Sequence, residues 1–403
     1  MCKPISFLNA RQLVVENTDR LPQETVLLPE SLGRRLAQVI TTSEDLPRFH
    51  NSGVDGYVVR LRDLTEGTAL KIAGVIRVGA FWQGVWPQHT CLRILTGAPV
   101  PDDAEAIVMQ EWTSSVGEGY VRINRLPTKH EHIRWRGSDT KAGSIVAGIG
   151  VRISPALLGT FASMGKTEVV VSQIPNIALL TTGDEVLDVG EPLTPGKVWN
   201  TSRYLLEGEV KGAGGRVVWI GHARDNEAET RMKIAEALEK ADLLLICGGV
   251  SVGSYDFVTI TLSSMGWKPI VQGVKQRPGK PFTFGRLGNK GVFGLPGNPV
   301  STAVCFDQYV RPAINAMQGQ VEGWRRTEPA ELTSDIKKVL GLHHFVRATL
   351  HKDSSGREFV TPTGAQGSHV FSSIRDAECL IHLPEGTDEV LAGTIVMVER
   401  LTT

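Results

Sequence analysis

Three apolar runs in the middle of the chain end in loops whose residues could do chemistry on an anion. ALLTTGDE closes on Asp184 and Glu185, LLICGGVSVGSYD carries Gly248, Gly249, Ser251 and Gly253, and VFGLPGNPVST carries Asn298 and Ser301. Glycine lets backbone N–H groups approach an anion, and a helix starting just after such a loop adds the positive end of its dipole, so each loop is a candidate phosphate cradle. Adjacent carboxylates such as Asp184 and Glu185 can hold a hard cation, Mg²⁺, that bridges phosphate oxygens. Lys280, in RPGKP, follows a Pro-Gly turn that presents its ammonium outward, as a point charge for phosphate or another oxyanion. Each feature taken singly has a plainer explanation. The glycines suit a tight strand-to-helix turn, Asn298 and Ser301 suit helix caps around Pro299, the acidic pair a solvated turn, and Lys280 an ordinary surface position. The convergence of three such loops is what argues for a site.

Other polar features are weaker. Asp55 in SGVDGYVV reads as an Asp-Gly hairpin turn entering a strand, and Thr96 in TGAPVP as a strand end before a Pro-bounded loop. His130 and His132, and the pair His343 and His344, lack the Cys or carboxylate spacing of a zinc site. No nucleophile elbow, Walker A or dinucleotide fingerprint stands in a convincing context, which disfavours hydrolase triads, P-loop ATPases and dinucleotide oxidoreductases.

The elements around these residues change character along the chain. FLNARQLVVENTDRL has apolar positions near helical spacing, and SLGRRLAQVI continues them up to a break at Pro47. From Asn51 to about Trp135 short alternating runs such as GYVVRL, LKIAGVI and AIVMQEW indicate a small β-rich domain inserted in the chain. After Pro175 the strands NIALLTTG, RVVWIG, DLLLICGG and KGVFGLPG alternate with helical stretches, NEAETRMKIAEALEKA being the clearest, so a doubly wound parallel α/β sheet is expected. Ligands of such sheets sit at the carboxyl ends of the strands, where the three loops lie. Beyond Gly319 short strands return, spaced as in a small barrel or sandwich.

Composition narrows the function. Lys plus Arg and Asp plus Glu both total 43 in 403 residues, so no basic excess exists for nucleic acid or an anionic membrane. There is no long apolar span and no leader-like N-terminus, and the cytoplasm is the expected location. The five cysteines form no CxxC pair and are expected to be reduced packing residues, with the exposure of Cys2 and Cys379 left open.

Taken in order, SGVDGY, RILTGAPVP, IRWRGSD, TTGDEV, GGVSVGSYDFV, RPGKPFTFG and VFGLPGNPVSTAV resemble the signature of the MoeA-type molybdopterin molybdenumtransferases, the family that includes the gephyrin E domain. The resemblance runs from about Phe7 to Leu401. It implies an elongated four-domain α/β chain: 1–50 plus 136–173 as an N-terminal domain, 51–135 as the inserted β-rich domain, 174–325 as a MogA-like α/β domain holding the substrate adenylate, and 326–403 as a C-terminal β-barrel. It also implies a homodimer with sites formed between subunits. Asp55, Thr96, Asp139, Glu185, Asp225 and Lys280 match positions the family uses for substrate or activity. The implied reaction transfers molybdate to adenylyl-molybdopterin with release of AMP. Mg²⁺ would lie near Asp184 and Glu185, the pyrophosphate in the loops around Gly249 and Ser251, and molybdate beside Lys280 and Arg277. The implied partners are a molybdopterin adenylyltransferase and recipient molybdoenzymes. Four positions depart from the pattern: Val54 for the common methionine, Ser202 for a frequent asparagine, Arg277 for the usual lysine before PGKP, and Gly273 for an upstream lysine. Because arginine binds planar oxyanions bidentately, the preference for molybdate over tungstate is open. The competing readings are an adenylyltransferase or nucleotide pyrophosphatase acting through the α/β domain alone, and a non-catalytic scaffold.

Overall fold

Asn176–Thr182 reads NIALLTT, an apolar run without polar alternation, as expected of a strand covered on both faces. In the computed structural model, which describes residues 3–249, 257–320 and 323–401, this run is β1 of a six-stranded sheet. Ser251, Gly253 and Cys2 lie outside the described residues. The chain forms two compact units, Met1–Gln38 with Ile149–Gly159 and Lys166–Thr403, and Val39–Gly148 with Thr160–Gly165.

In the larger unit an N-terminal helix, α1 (Phe7–Glu16), precedes the sheet. Its buried positions Phe7, Ala10 and Val14 fall at helical spacing, and Asn17 closes it. The helix does not resume in SLGRRLAQVI, which runs as turns and isolated bridges, with Arg35 opposite Arg152 and Leu36 opposite Val171. Gly33, with φ of 78°, breaks the helical pattern there. From β1 the chain continues through α2 (Thr201–Gly212), β2 (Arg216–Ala223), α3 (Glu227–Lys240), β3 (Leu243–Cys247) and α4 (Phe257–Ser264). It then adds β4 (Lys268–Gln272), β5 (Thr283–Leu287) and β6 (Lys290–Leu295), followed by α5 (Pro299–Cys305) and α6 (Arg311–Met317). The sheet order is β2-β1-β3-β6-β5-β4. The first four strands are parallel, as expected of a doubly wound fold, and the hairpin β5–β6 and strand β4 extend it with antiparallel pairs. Strand residues alternate between two cores. Ile177, Leu179, Leu243 and Leu245 face α2 and the C-terminal helices, whereas Ala178, Leu180, Leu244 and Ile246 face α3 and α4.

The C-terminal region is a closed five-stranded barrel, in which His343–Lys352, Glu358–Pro362, Thr327–Leu332, Ile395–Arg400 and Cys379–Leu383 pair in that order and the last returns to the first. Closure removes the unpaired edge that so small a sheet would otherwise expose. Phe345 and Leu380 join the α/β core, so barrel and sheet share apolar surface. Gln276–Arg277 adds to the barrel beside His343 and His344, which carries the RPGK loop onto it. Cys379 is fully buried, and burial pushes its thiol up to about 12, a packing role like that of Cys91, Cys247 and Cys305.

A buried polar cluster joins α5, α6 and the barrel. Asp307, in a single π turn (Phe306–Val310), accepts from Arg311 Nε at 2.8 Å, Arg325 Nε at 2.9 Å and Gln308 Nε2 at 3.1 Å. Gln308 also donates to Glu399 Oε1 at 2.9 Å, and His382 Nε2 lies 3.2 Å from Glu399 Oε2. The arginines keep Asp307 charged, while burial and the neighbouring Asp307 charge push Glu399 up to about 8. Because this folded-state value lies above the unfolded one, the Glu399 contribution to stability is complete below about pH 4.5 and is lost as pH rises through about 8, at up to about 1.4 kcal/mol per pH unit. Glu399→Gln is expected to flatten that decline in urea midpoints measured from pH 5 to 8; an unchanged slope would assign the titration to another group.

The smaller unit is built on a second six-stranded sheet, ordered Ala106–Met109, Gly56–Val59, Thr90–Ile94, Ala69–Ile76, Tyr120–Ile123 and Thr113–Ser115. Asp55-Gly56 is not a hairpin turn as expected. The preceding Asn51–Ser52 pairs with Ile133–Arg134, so the dipeptide instead feeds the chain between two sheets. Glycine is needed at 56 for close approach, because a Cβ there would lie 2.0 Å from the Val108 carbonyl oxygen. Gly56→Ala is expected to destabilise this unit by about 1–3 kcal/mol, read as an earlier thermal transition, and an unshifted transition would show that the strands can part there at no cost.

Candidate active site

The three loops gather at the carboxyl ends of β1, β3 and β6, which are neighbours in the sheet. Gly248 and Gly249 have φ of 94° and 62°. A Cβ on Gly248 would lie 2.8 Å from Thr182 Oγ1, and one on Gly249 would lie 2.7 Å from Val258 Cγ2. A side chain at either position would therefore clash, and both backbones sit in the left-handed region that glycine allows. Gly297 of the PGNP loop sits against Gly248, a Cβ on it reaching within 3.8 Å of the Gly248 Cα, and Gly248 N–H donates to Leu295 O at 3.1 Å. Thr182 Oγ1 is buried with no hydrogen-bond partner among the described residues, beside the glycine pair. Asn298 holds the cap position of α5 and Pro299 begins the helix, yet the Asn298 side chain makes no capping bond. Asn298 is exposed, while Ser301 is buried in the helix.

Asp184, Glu185 and Asp225 come together where β1 and β2 end. Asp225 N–H donates to Asp184 Oδ1 at 3.2 Å, and Glu185 folds over Gly183 so that a Cβ there would lie 2.7 Å from Oε2. Both adjacent carboxylates are exposed, and the Glu185 carboxylate has no protein partner among the described residues. Among the described residues no group of three or more His, Cys, Asp or Glu side chains could hold a metal ion, so any cation here would have at most the two carboxylates of Asp184 and Glu185 as protein ligands. A cleft of about 620 Å³ opens beside them, walled by Asp188, Lys197, Asn200, Arg203 and His222. Lys197 Nζ donates to Asp184 O at 2.6 Å, and Thr181 Oγ1 accepts from Asn200 Nδ2 at 2.8 Å and meets His222 Nδ1 at 3.1 Å. Ser202, where asparagine was the expected residue, is buried against the Cys247 thiol, and so it helps pack α2 onto β3.

Arg277 and Lys280 are exposed on the loop that meets the barrel. Beside Arg277 stands Arg347, which sequence reasoning missed. It is 1% exposed and bonds only neutral groups: Ser373 Oγ at 3.2 Å, Phe345 O at 3.3 Å and Gly367 O at 3.3 Å. Burial, and then the Arg277 charge, bring its pKa down to about 10. Arg347 thus serves to brace the barrel wall behind Arg277, its guanidinium bonded within the protein. The available signal was a lone arginine inside the apolar run HHFVRATL.

In the smaller unit the remaining motifs close on one another. Asp55 Oδ1 accepts from Thr96 N–H at 2.7 Å and Thr96 Oγ1 at 2.8 Å, which hold its carboxyl below the usual carboxylate range. Gly97 N–H donates to Ser52 O at 2.8 Å, Gly53 N–H to His132 O at 2.8 Å and Arg136 N–H to His50 Nδ1 at 2.9 Å. Asp139 is exposed in the same region, its N–H on Leu46 O at 3.0 Å. A cleft of about 640 Å³ lies against these loops, with Arg48, Phe49, Arg136, Trp82 and Trp86 on its walls. Charge and flat aromatic surface are thus available together.

The chain is also similar to known proteins along most of its length. Residues 5–165 match the "MoeA N-terminal region (domain I and II)", 178–316 the "Probable molybdopterin binding domain" and 329–401 the "MoeA C-terminal region (domain IV)". The chain is 36% identical over 382 residues to the molybdopterin molybdenumtransferase of Haemophilus influenzae, covering 93% of each. It is 31% identical to that of Bacillus subtilis, covering 93% of this chain and 89% of the other. The molybdopterin biosynthesis MoeA protein of Pyrococcus horikoshii superposes with a TM-score of 0.84 at 24% identity over 99% of this chain and all of that one.

Proposed function

From the premise that this chain belongs to the MoeA family of molybdopterin molybdenumtransferases, we propose how its residues divide the work of making molybdenum cofactor from adenylyl-molybdopterin and molybdate. The observation that carries the reading is the meeting of three strand-end loops around the orphaned Thr182 hydroxyl, beside Asp184, Glu185 and Asp225. Backbone N–H groups at Gly248 and Gly249 and the Thr182 hydroxyl bind the pyrophosphate of the substrate adenylate, and the Asn298 amide contacts it from the facing loop. Asp184 and Glu185 would hold Mg²⁺, which would supply positive charge to the phosphate oxygens.

Molybdate docks at the exposed Arg277 and Lys280, neither of which is paired with a carboxylate among the described residues. Attack of a molybdate oxygen or a water on the adenylate phosphorus forms one P–O bond as the phosphoanhydride P–O bond breaks. AMP leaves with the attacking oxygen, and molybdenum exchanges two oxides for the two dithiolene sulfurs, any oxide not carried off by AMP leaving as water with the thiol protons and those of an attacking water. The Asp55–Thr96 loop orients the pterin side, and the chain works as a cytoplasmic homodimer whose subunits complete each other's sites. No helix among the described residues is long and apolar enough to cross a membrane.

The test is incubation of the protein with adenylylated molybdopterin, Mg²⁺ and either molybdate or tungstate, following AMP release and reconstitution of an apo molybdoenzyme. Molybdate-dependent AMP release with active cofactor is expected. Release indifferent to the oxyanion would replace the reading by a pyrophosphatase, and the tungstate lane reads the consequence of arginine at 277.

A further inference from the structure

Away from these loops, the larger unit has a cavity of about 180 Å³ lined by Arg35, Arg152, Arg311, Arg325 and Asn315. Arg311 and Arg325 are neutralised in part: both bond Asp307, at 2.8 and 2.9 Å, and Arg311 reaches Glu209 at 2.6 Å. Arg35 and Arg152 have no carboxylate within ion-pair distance among the described residues. Arg35 donates to Gly150 O and Asn315 Oδ1, both at 2.9 Å, and Arg152 Nε donates to Gly33 O at 3.2 Å. These two residues face each other across an antiparallel bridge, where like charges directly opposite are unfavourable. Burial and the Arg152 charge accordingly lower the pKa of Arg35.

Among the described residues, four guanidiniums against the carboxylates of Asp307 and Glu209 leave two formal positive charges around the cavity. We propose that it binds a small tetrahedral dianion of the phosphate and molybdate class, held by Arg35 and Arg152 and separate from the oxyanion position at Arg277 and Lys280. Planar guanidinium forks match the oxygens of such an ion, and the volume admits one with a few waters. Asn315 sets the position: its Nδ2 donates to Gly323 O at 2.6 Å, so its Oδ1 is fixed toward Arg35.

The experiment is calorimetric titration of the Arg277→Ala/Lys280→Ala chain with inorganic phosphate and, separately, with molybdate at low ionic strength. One saturable equivalent is expected, weakened about tenfold or more by adding Arg35→Gln and Arg152→Gln and largely restored with Arg152→Lys. Saturation by phosphate alone would identify a phosphoryl ligand, by molybdate alone the substrate oxyanion, and either supports the site. Absence of saturable binding, or binding unchanged by the two glutamine substitutions, would overturn it. If the substituted chain does not fold, the thermal midpoint of the unsubstituted chain decides: a rise with phosphate or molybdate over chloride at equal ionic strength is expected, and no rise with either overturns the proposal.

Discussion

Glu185→Ala is expected to lower molybdate-dependent AMP release about 10²- to 10³-fold while leaving the thermal midpoint of the protein nearly unchanged. Both halves follow from the position of the side chain. The carboxylate is exposed, folds over Gly183 and has no protein hydrogen bond among the described residues, so its removal deletes little of the fold. What it deletes is one of two open carboxylates beside the phosphate-binding loops, where a lost electrostatic contact acts on the charge developing as AMP departs. Asp184 is a poorer first choice, because its Oδ1 also braces the Asp225 N–H at 3.2 Å and its removal would shift the loop. AMP release at the unsubstituted rate in Glu185→Ala would remove Glu185 from the reaction and leave Asp184 and Asp225 as the acidic residues that matter.

The second large effect is on stability. Asp307→Ala is expected to destabilise the larger unit by about 3–5 kcal/mol, because it strips the buried carboxylate from two partly buried arginines that also face each other's charge. Asp307 is 5% exposed and sits in the π turn from which Gln308 reaches Glu399, so the change also unties α5 and α6 from the barrel. Denaturant unfolding followed by fluorescence measures the loss. A loss below about 1 kcal/mol would mean that water or Glu209 takes over the pairing. Asp307→Asn should recover part of the loss, since the amide oxygen can still accept from Arg311 and Arg325.

Much of the α/β region was legible because its signals are local. An apolar run such as NIALLTT needs no distant information to be read as a doubly covered strand, and EAETRMKIAEALEK after Asn226 reads as a helix on sight. The three strand-end loops could be recognised as a group because parallel neighbours align their carboxyl ends. SLGRRLAQVI misled because apolar positions at helical spacing say nothing about a glycine at positive φ that ends the periodicity. Asp55 misled in a similar way. An Asp-Gly pair is a hairpin signal only if the flanking strands pair with each other, and here Asn51–Ser52 pairs with Ile133–Arg134.

By itself, then, the sequence determined the element types of the α/β region, the cysteines' setting among apolar residues, the acidic and glycine-rich loops and, through seven ordered motifs, the family. Only the tertiary structure decided which charges stand together. It set Arg347 beside Arg277, Asp55 beneath Thr96, Glu399 next to Asp307, and Arg35 across from Arg152. Propensity and periodicity act over a few residues, whereas the electrostatic energy of a site depends on distances between groups far apart in the chain, and those distances exist only once the cores have packed.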